Sequence, residues 1–237
     1  MANFNTHLIV SAAASGAAAT SLLGAGVAKP QDAAIYFSLG TIGGLLPDLD
    51  SDNSSILKSF FNILGIILAF SIVFTQVGKF SLAELFILWL GAYSLVRYGA
   101  SALFTRLTTH RGIFHSIPAA LFFWMTVTLL TAQFLKFTPV QSWLAGFFIF
   151  LGYLIHLILD EIFSVDLANQ KIKRSFGSAF KLFDTRNVPG TLILYLLVAL
   201  GLFLAPDYKV FLDLIKNKTL LTSLKSNLLP SGRWFIK

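Results

Sequence analysis

Seven apolar runs follow one another along this chain of 237 residues, and their lengths leave few folds open. They are Leu8–Ala28, Ala33–Leu46, Ile56–Val77, Leu82–Tyr98, Ile117–Leu135, Trp143–Phe163 and Val188–Ala205. About 20 apolar residues in a helix cross a hydrocarbon layer roughly 30 Å thick. Composition points the same way: 56% of residues are hydrophobic and only 12% are charged, where soluble domains carry about a quarter. A soluble chain this apolar would have too little polar surface to cover itself. The expected fold is therefore all-α, a polytopic membrane helical bundle of about six to seven membrane helices. Ala33–Leu46 is the short member; its length reaches only roughly 21 Å, so it is expected at shallow depth.

The first run, SAAASGAAATSLLGAG, is rich in small residues that let neighbouring helices approach closely. The preceding MANFNTH has no Lys or Arg, so the segment is read as retained rather than as a secretory signal. Asn5 or Thr6 is the expected N-cap of the first helix. With no Pro- or Ser-rich linker, residues 1–206 read as one membrane-embedded domain and 207–237 as a basic tail. Within the tail, FLDLIKNKTLLTSLKSNLL has the pattern of an amphipathic helix lying in the interface.

The net charge of +7 is better spent on anionic lipid headgroups than on nucleic acid, so membrane lipids are expected partners and nucleic acid is not. One set of loops holds Lys58, Arg97, Arg106, Arg111, Lys171, Lys173, Arg174, Lys181 and Arg186, against Lys29, Lys79 and Lys136 in the other. The positive-inside rule places the first set in the cytoplasm. The tail, with Lys209, Lys216, Lys218, Lys225, Arg233 and Lys237, conflicts with this unless the last run fails to cross.

There is no cysteine, which excludes a disulfide scaffold, a thiol nucleophile and thiolate ligands. A metal here must be held by imidazole and carboxylate, donors that suit zinc, manganese or iron. The histidines are His7, His110, His115 and His156, each at or just inside the end of a run. Carboxylates accompany them: Asp48, Asp50 and Asp52 in LLPDLDSDN, and Asp160 and Glu161 in GYLIHLILDEIFSVD. Two runs separate His7 from Asp48, two more lead to His110, and two more from His115 to Asp160. An even number of crossings returns the chain to the same face each time, so these groups can converge.

His156 and Asp160 are four apart in a helical run, which puts both on one face. A carboxylate within a span costs about 2.5–3.5 kcal/mol, so a cation or a water-filled cavity is expected beside it. Glu161 points about 100° away, as a supporting group, a general base or an interfacial residue. In THRGIFHS, Gly112 suggests a turn that aims His110 and His115 inward. Alternatively the next helix starts at Ser116–Pro118, with Ser116 as N-cap and Pro118 in its first turn. The amides at that helix start would form an anion site beside His115 and Arg111. LPDLDSDN is no calcium loop, since Asn53 and Ser59 replace the required Gly and Glu. Nor does a strand precede it, as an aspartyl phosphotransferase needs. Metal ligation by Asp48 and Asp50 remains the better reading. The chain has no GxSxG elbow, Walker loop or dinucleotide glycine motif; the glycines of GTIGGLLPD read as close helix packing. The basic, aromatic KIKRSFGSAFKLFDTR either lies on lipid or draws an anionic substrate to the site.

An early His7, then LPDLDSD, HRGIFHS and HLILDEIFSVD, followed by KRSFGSAFKLF, resemble the YdjM-like family of membrane-bound metal-dependent hydrolases. The resemblance covers most of residues 1–190. It implies a multi-pass protein of the bacterial inner membrane with a bound divalent metal, zinc first, manganese or iron otherwise. His7, Asp48, Asp50, His110, His115, His156 and Asp160 match its metal-binding pattern. This chain has EIFSVD where the family pattern has a turn with Thr and Gly, which leaves Glu161 and Asp166 outside the match. The helical His/Asp pattern is also similar to zinc-dependent phospholipase C and single-strand nucleases.

The expected function is hydrolysis of a phosphoester, and a lipid one fits the location. Asp160, Glu161 and His115 are the expected catalytic residues. Arg106, Arg111, Ser116, Lys173 and Arg174 are the expected holders of an anionic phospho-substrate. A transporter coupled to ions or protons is the rival, but it should carry polar residues at mid-depth, and Ile56–Val77 and Ile117–Leu135 carry almost none. A non-catalytic metal-binding scaffold is the third reading.

Overall fold

The computed structural model describes residues 3–50, 54–76, 79–102, 114–166, 171–172, 180–185, 187–218, 220 and 222–223, with most of their side chains. The helices are α1 (Phe4–Gly24), α2 (Pro30–Gly43), α3 (Ser54–Gln76), α4 (Leu82–Ser94), α5 (Ile117–Gln133), α6 (Pro139–Ile162), α7 (Val188–Leu204) and α8 (Lys209–Lys216). A 3-10 turn, Leu46–Asp50, follows α2, and α4 runs on as a π-helical segment, Leu95–Ala100. The extended pairing consists of β1 (Val165–Asp166) against β2 (Lys171–Ile172), antiparallel. Among the described residues the protein is thus helical apart from this minimal ladder and a single bridge between Ser116 and Lys181.

Helix starts follow local sequence chemistry. Asn3 caps α1, its side chain accepting the Thr6 amide at 2.8 Å, somewhat earlier than the expected Asn5 or Thr6. Ser116 caps α5 with Pro118 in the first turn, as expected. Thr138 and Gln141 form a reciprocal capping box at α6, and Ser81 and Glu84 do so at α4.

Helix α6 is the central element, packed by α5 on one side and by α1 and α2 on the other, with α7 against α5. Its residues Phe148, Tyr153 and Leu157 are fully buried. Lipid offers no hydrophobic drive between helices, so close contact of small residues supplies the attraction. The α2–α6 contact shows this: a Cβ added at Gly152 would collide with the Gly40 carbonyl oxygen and lie 2.8 Å from the Gly44 nitrogen. Helices α3 and α4 pack on each other, tied by Tyr93 Oη donating to Asn62 Oδ1 at 3.0 Å. Outward faces are apolar, with Leu82 86% and Phe203 85% exposed, the surface a bilayer would cover.

Among the described residues, α1 and α6 are long and apolar enough to cross a membrane, and α7 with α8 makes a third if that bent pair is one span. The expectation of six to seven helices was built on apolar runs, several of which yield shorter helices. The Ala33–Leu46 run becomes the 14-residue α2 and then the 3-10 turn. Ile117–Leu135 gives 17 residues, and the α-helix in Leu82–Tyr98 gives 13 before it turns π-helical.

Helix α7 starts beside the start of α5, where the Ile117 amide donates to Lys181 O and the Asp184 amide to Thr191 Oγ1. It ends near the start of α6, where Trp143 Nε1 donates to Pro206 O at 3.1 Å. It therefore runs alongside the full bundle. After an 87° bend, α8 lies across that end with Phe211 buried against Trp143 and Phe147. This puts Lys209 and Lys216 at the end of α6 opposite His156 and Asp160, and it weakens the charge bias counted from the loops.

Candidate metal centre

Five side chains from four separate segments meet at the C-terminal end of α6. His7 comes from the start of α1, Asp48 from the 3-10 turn, His115 from just before α5, and His156 and Asp160 from α6. The helical spacing of His156 and Asp160 brings Nε2 and Oδ2 to 3.6 Å. His115 Nε2 lies 3.7 Å from Asp160 Oδ2 and 3.9 Å from Asp48 Oδ1. His156 Nε2 is 3.5 Å from the same Asp48 oxygen. His7 Nε2 approaches the other carboxylate oxygen, Asp160 Oδ1, at 3.2 Å. The three histidines and Asp160 are buried, whereas the Asp48 side chain is 31% exposed, so the centre opens on the Asp48 side.

Backbone carbonyls fix the ligand-bearing side chains. His156 Nδ1 lies 2.8 Å from Gly44 O, and as donor there it leaves Nε2 as the nitrogen facing the carboxylates. The glycine contact between α2 and α6 is what brings that carbonyl within reach. Tyr153 Oη donates to Phe114 O, which anchors the turn that carries His115. The His7 ring stacks on His156, with centroids 3.6 Å apart and planes 11° apart.

The donor set fits a divalent cation. Imidazole and carboxylate bind zinc at about 2.0–2.2 Å, and at those lengths the observed 3.2–3.9 Å donor separations span donor–metal–donor angles of roughly 100–145°. His156 Nε2 is buried with no hydrogen-bond partner among the described residues. An imidazole nitrogen in that position, facing carboxylates, could serve as a ligand to a cation. Two groups each bring three donor atoms within 4.8 Å of one another: His7, His156 and Asp160, and Asp48, His115 and His156.

Of the seven expected ligands, His7, Asp48, His115, His156 and Asp160 are brought together. His110 lies outside the described residues, and so does the side chain of Asp50. Arg106, Arg111, Lys173 and Arg174 lie outside them as well. Glu161 is partly buried and belongs to neither donor group. Ser116 accepts the Ala119 amide through its hydroxyl and the Ala120 amide through its carbonyl, while the Ile117 amide donates to Lys181 O. The first amides of α5 are therefore engaged within the chain, and the expected anion site at that helix start loses its donors.

Sequence reasoning missed the Gly44 and Phe114 carbonyls and the approach of Lys181 to Ser116. The glycines in GTIGGLLPD signal close packing, but no residue pattern announces which carbonyl that packing delivers.

No curated protein and no solved structure matches this chain. The family model for YdjM inner membrane protein matches residues 1–167, a stretch that includes every residue of the gathered centre. The chain therefore belongs to the YdjM inner membrane protein family.

Proposed function

We propose that this protein is a membrane-bound metal-dependent hydrolase acting on a phosphoester at the cytoplasmic face of the bacterial inner membrane. In this reading it is a multi-pass protein in which the shorter apolar helices accompany the long ones, giving six to seven membrane helices. The observation that carries the reading is the gathering of three imidazoles and two carboxylates from four segments at one end of the bundle. Two carboxylates against one divalent ion balance in charge, and zinc suits the donors best, with manganese or iron as alternatives.

A divalent ion held there supplies Lewis-acid polarisation and a water that ionises near neutral pH. The chain supplies the rest. Asp48, His115, His156 and Asp160 would hold the ion, and His7 stands beside the other oxygen of Asp160. Glu161 or Asp160 would take the proton of a water held there at a carboxylate oxygen, and His115 would assist at the leaving group. Arg106, Arg111, Lys173 and Arg174 are assigned to the substrate phosphate, and Ser116 to the edge of its site.

An enzyme accounts for the arrangement better than a transporter. Among the described hydroxyls, Thr126 and Thr131 bond their own helix carbonyls at 2.8 Å, and Ser11, Ser15 and Thr128 pack against Gly44, Gly40 and Gly146 of neighbouring helices. The test is a panel of phosphoesters, lipid and soluble, with and without chelator. Hydrolysis that chelation abolishes and zinc restores is expected. Hydrolysis indifferent to chelation removes this mechanism, and a zinc-loaded protein without hydrolysis favours the scaffold reading.

A further inference from the structure

Two features of the centre are at odds with a single ion. The first is the stack of His7 on His156, with centroids 3.6 Å apart and planes within 11°. An imidazole binds a metal through a lone pair in its ring plane. Two nearly parallel rings stacked 3.6 Å apart therefore aim their lone pairs into two different planes. One ion cannot lie in both planes.

The second feature is the division of the Asp160 carboxylate. Oδ1 is 3.2 Å from His7 Nε2, while Oδ2 is 3.6 Å from His156 Nε2 and 3.7 Å from His115 Nε2. Each oxygen faces a different imidazole set. His156 belongs to both candidate donor groups, yet with Nδ1 engaged by Gly44 O it has one nitrogen to give. It can serve only one ion.

We infer that the centre is dinuclear, with the Asp160 carboxylate bridging two divalent ions. Asp48, His115, His156 and Asp160 Oδ2 take one ion; His7 and Asp160 Oδ1 take the other. The stacking distance falls in the range of about 3.5–4 Å that separates the ions of two-metal hydrolytic sites. The His7 position has two donors among the described residues, and the other position, which includes Asp48, faces the open side of the centre. Two divalent ions against Asp48 and Asp160 leave an excess of positive charge, which suits a phosphoester anion. The inference rests on the metal-centre reading above.

The test is metal stoichiometry and magnetic coupling, read without any activity. Full-length protein in detergent is stripped with chelator, reloaded with zinc and analysed by plasma mass spectrometry; a parallel sample is loaded with manganese for electron paramagnetic resonance. Wild type is expected to hold two zinc ions per chain and to give an exchange-coupled manganese signal. His7→Gln is expected to hold one and to give the six-line signal of isolated manganese. One zinc per chain in wild type, lost in His115→Ala and His156→Ala, overturns the dinuclear inference and leaves the single-metal reading standing. No zinc in wild type overturns both. Two coupled ions retained in His7→Gln also overturn the assignment. Should His7→Gln fail to purify, the wild-type stoichiometry and coupling decide alone.

Discussion

Adding one methyl group at Gly152 tests how tightly the metal centre depends on the packing of α2 against α6. The new Cβ would meet backbone, not flexible side chain: it collides with the Gly40 carbonyl oxygen and lies 2.8 Å from Gly44 N and 2.9 Å from the Gly40 carbonyl carbon. Real Cβ atoms do not come so close, so α2 must move away from α6. Overpacking of this kind costs about 1–3 kcal/mol. The movement also carries off the Gly44 carbonyl, whose contact with His156 Nδ1 is 2.8 Å long. Loss of a partner that orients a ligating histidine typically lowers metal affinity about 10–100-fold. Gly152→Ala should therefore weaken zinc binding by that factor while every ligand remains in place. Gly91→Ala is the control, because a Cβ there meets nothing within 4 Å. Zinc affinity, measured in detergent by competition with a chromophoric chelator, is the readout. Equal affinities for wild type and Gly152→Ala would refute the link between helix packing and ligand orientation.

Other perturbations separate the parts of the account. Tyr153→Phe removes the donor to Phe114 O; it should cost about 1 kcal/mol of stability and weaken zinc binding through His115, both visible in chelator-titrated thermal unfolding. Zinc at a hundredfold excess over its dissociation constant should stabilise the protein by about 2.7 kcal/mol, and an unchanged melting curve would mean that no folded-state site binds it. Asp160→Asn keeps the shape but removes the charge facing three imidazoles, so zinc retention through gel filtration should fall sharply. Phe211→Asp should free α8 from Trp143 and shift tryptophan emission, with metal content untouched because the contact lies at the far end of α6.

Much of the site was legible from spacing and topology. His156 and Asp160 declare a shared helical face, and their burial in an apolar run demands a reason. The parity of crossings brought His7, Asp48 and His115 to the same end, and the structure gathers them there although α2 is too short for a full crossing. Parity works because α2 still reverses chain direction; it does not need to span. Helix number was less legible, because hydropathy reads the length of an apolar run and not the point at which Pro47 or a change to π geometry interrupts the α-helix. The position of the tail is ambiguous for a related reason: charge counts do not reveal that α7 runs along α5 until Trp143 meets Pro206. The split of Asp160 between two imidazole sets depends on rotamers and ring planes, which no residue pattern encodes.

The most direct measurement is the zinc-edge X-ray absorption spectrum of zinc-loaded protein in detergent. Imidazole rings scatter in a recognisable outer-shell pattern, and ligation by buried histidines predicts that pattern together with an oxygen and nitrogen first shell at about 2.0–2.1 Å. The pattern should weaken in His156→Ala. A spectrum without imidazole scattering, or one identical in wild type and His156→Ala, would contradict the claim that these scattered residues make one cation-binding centre.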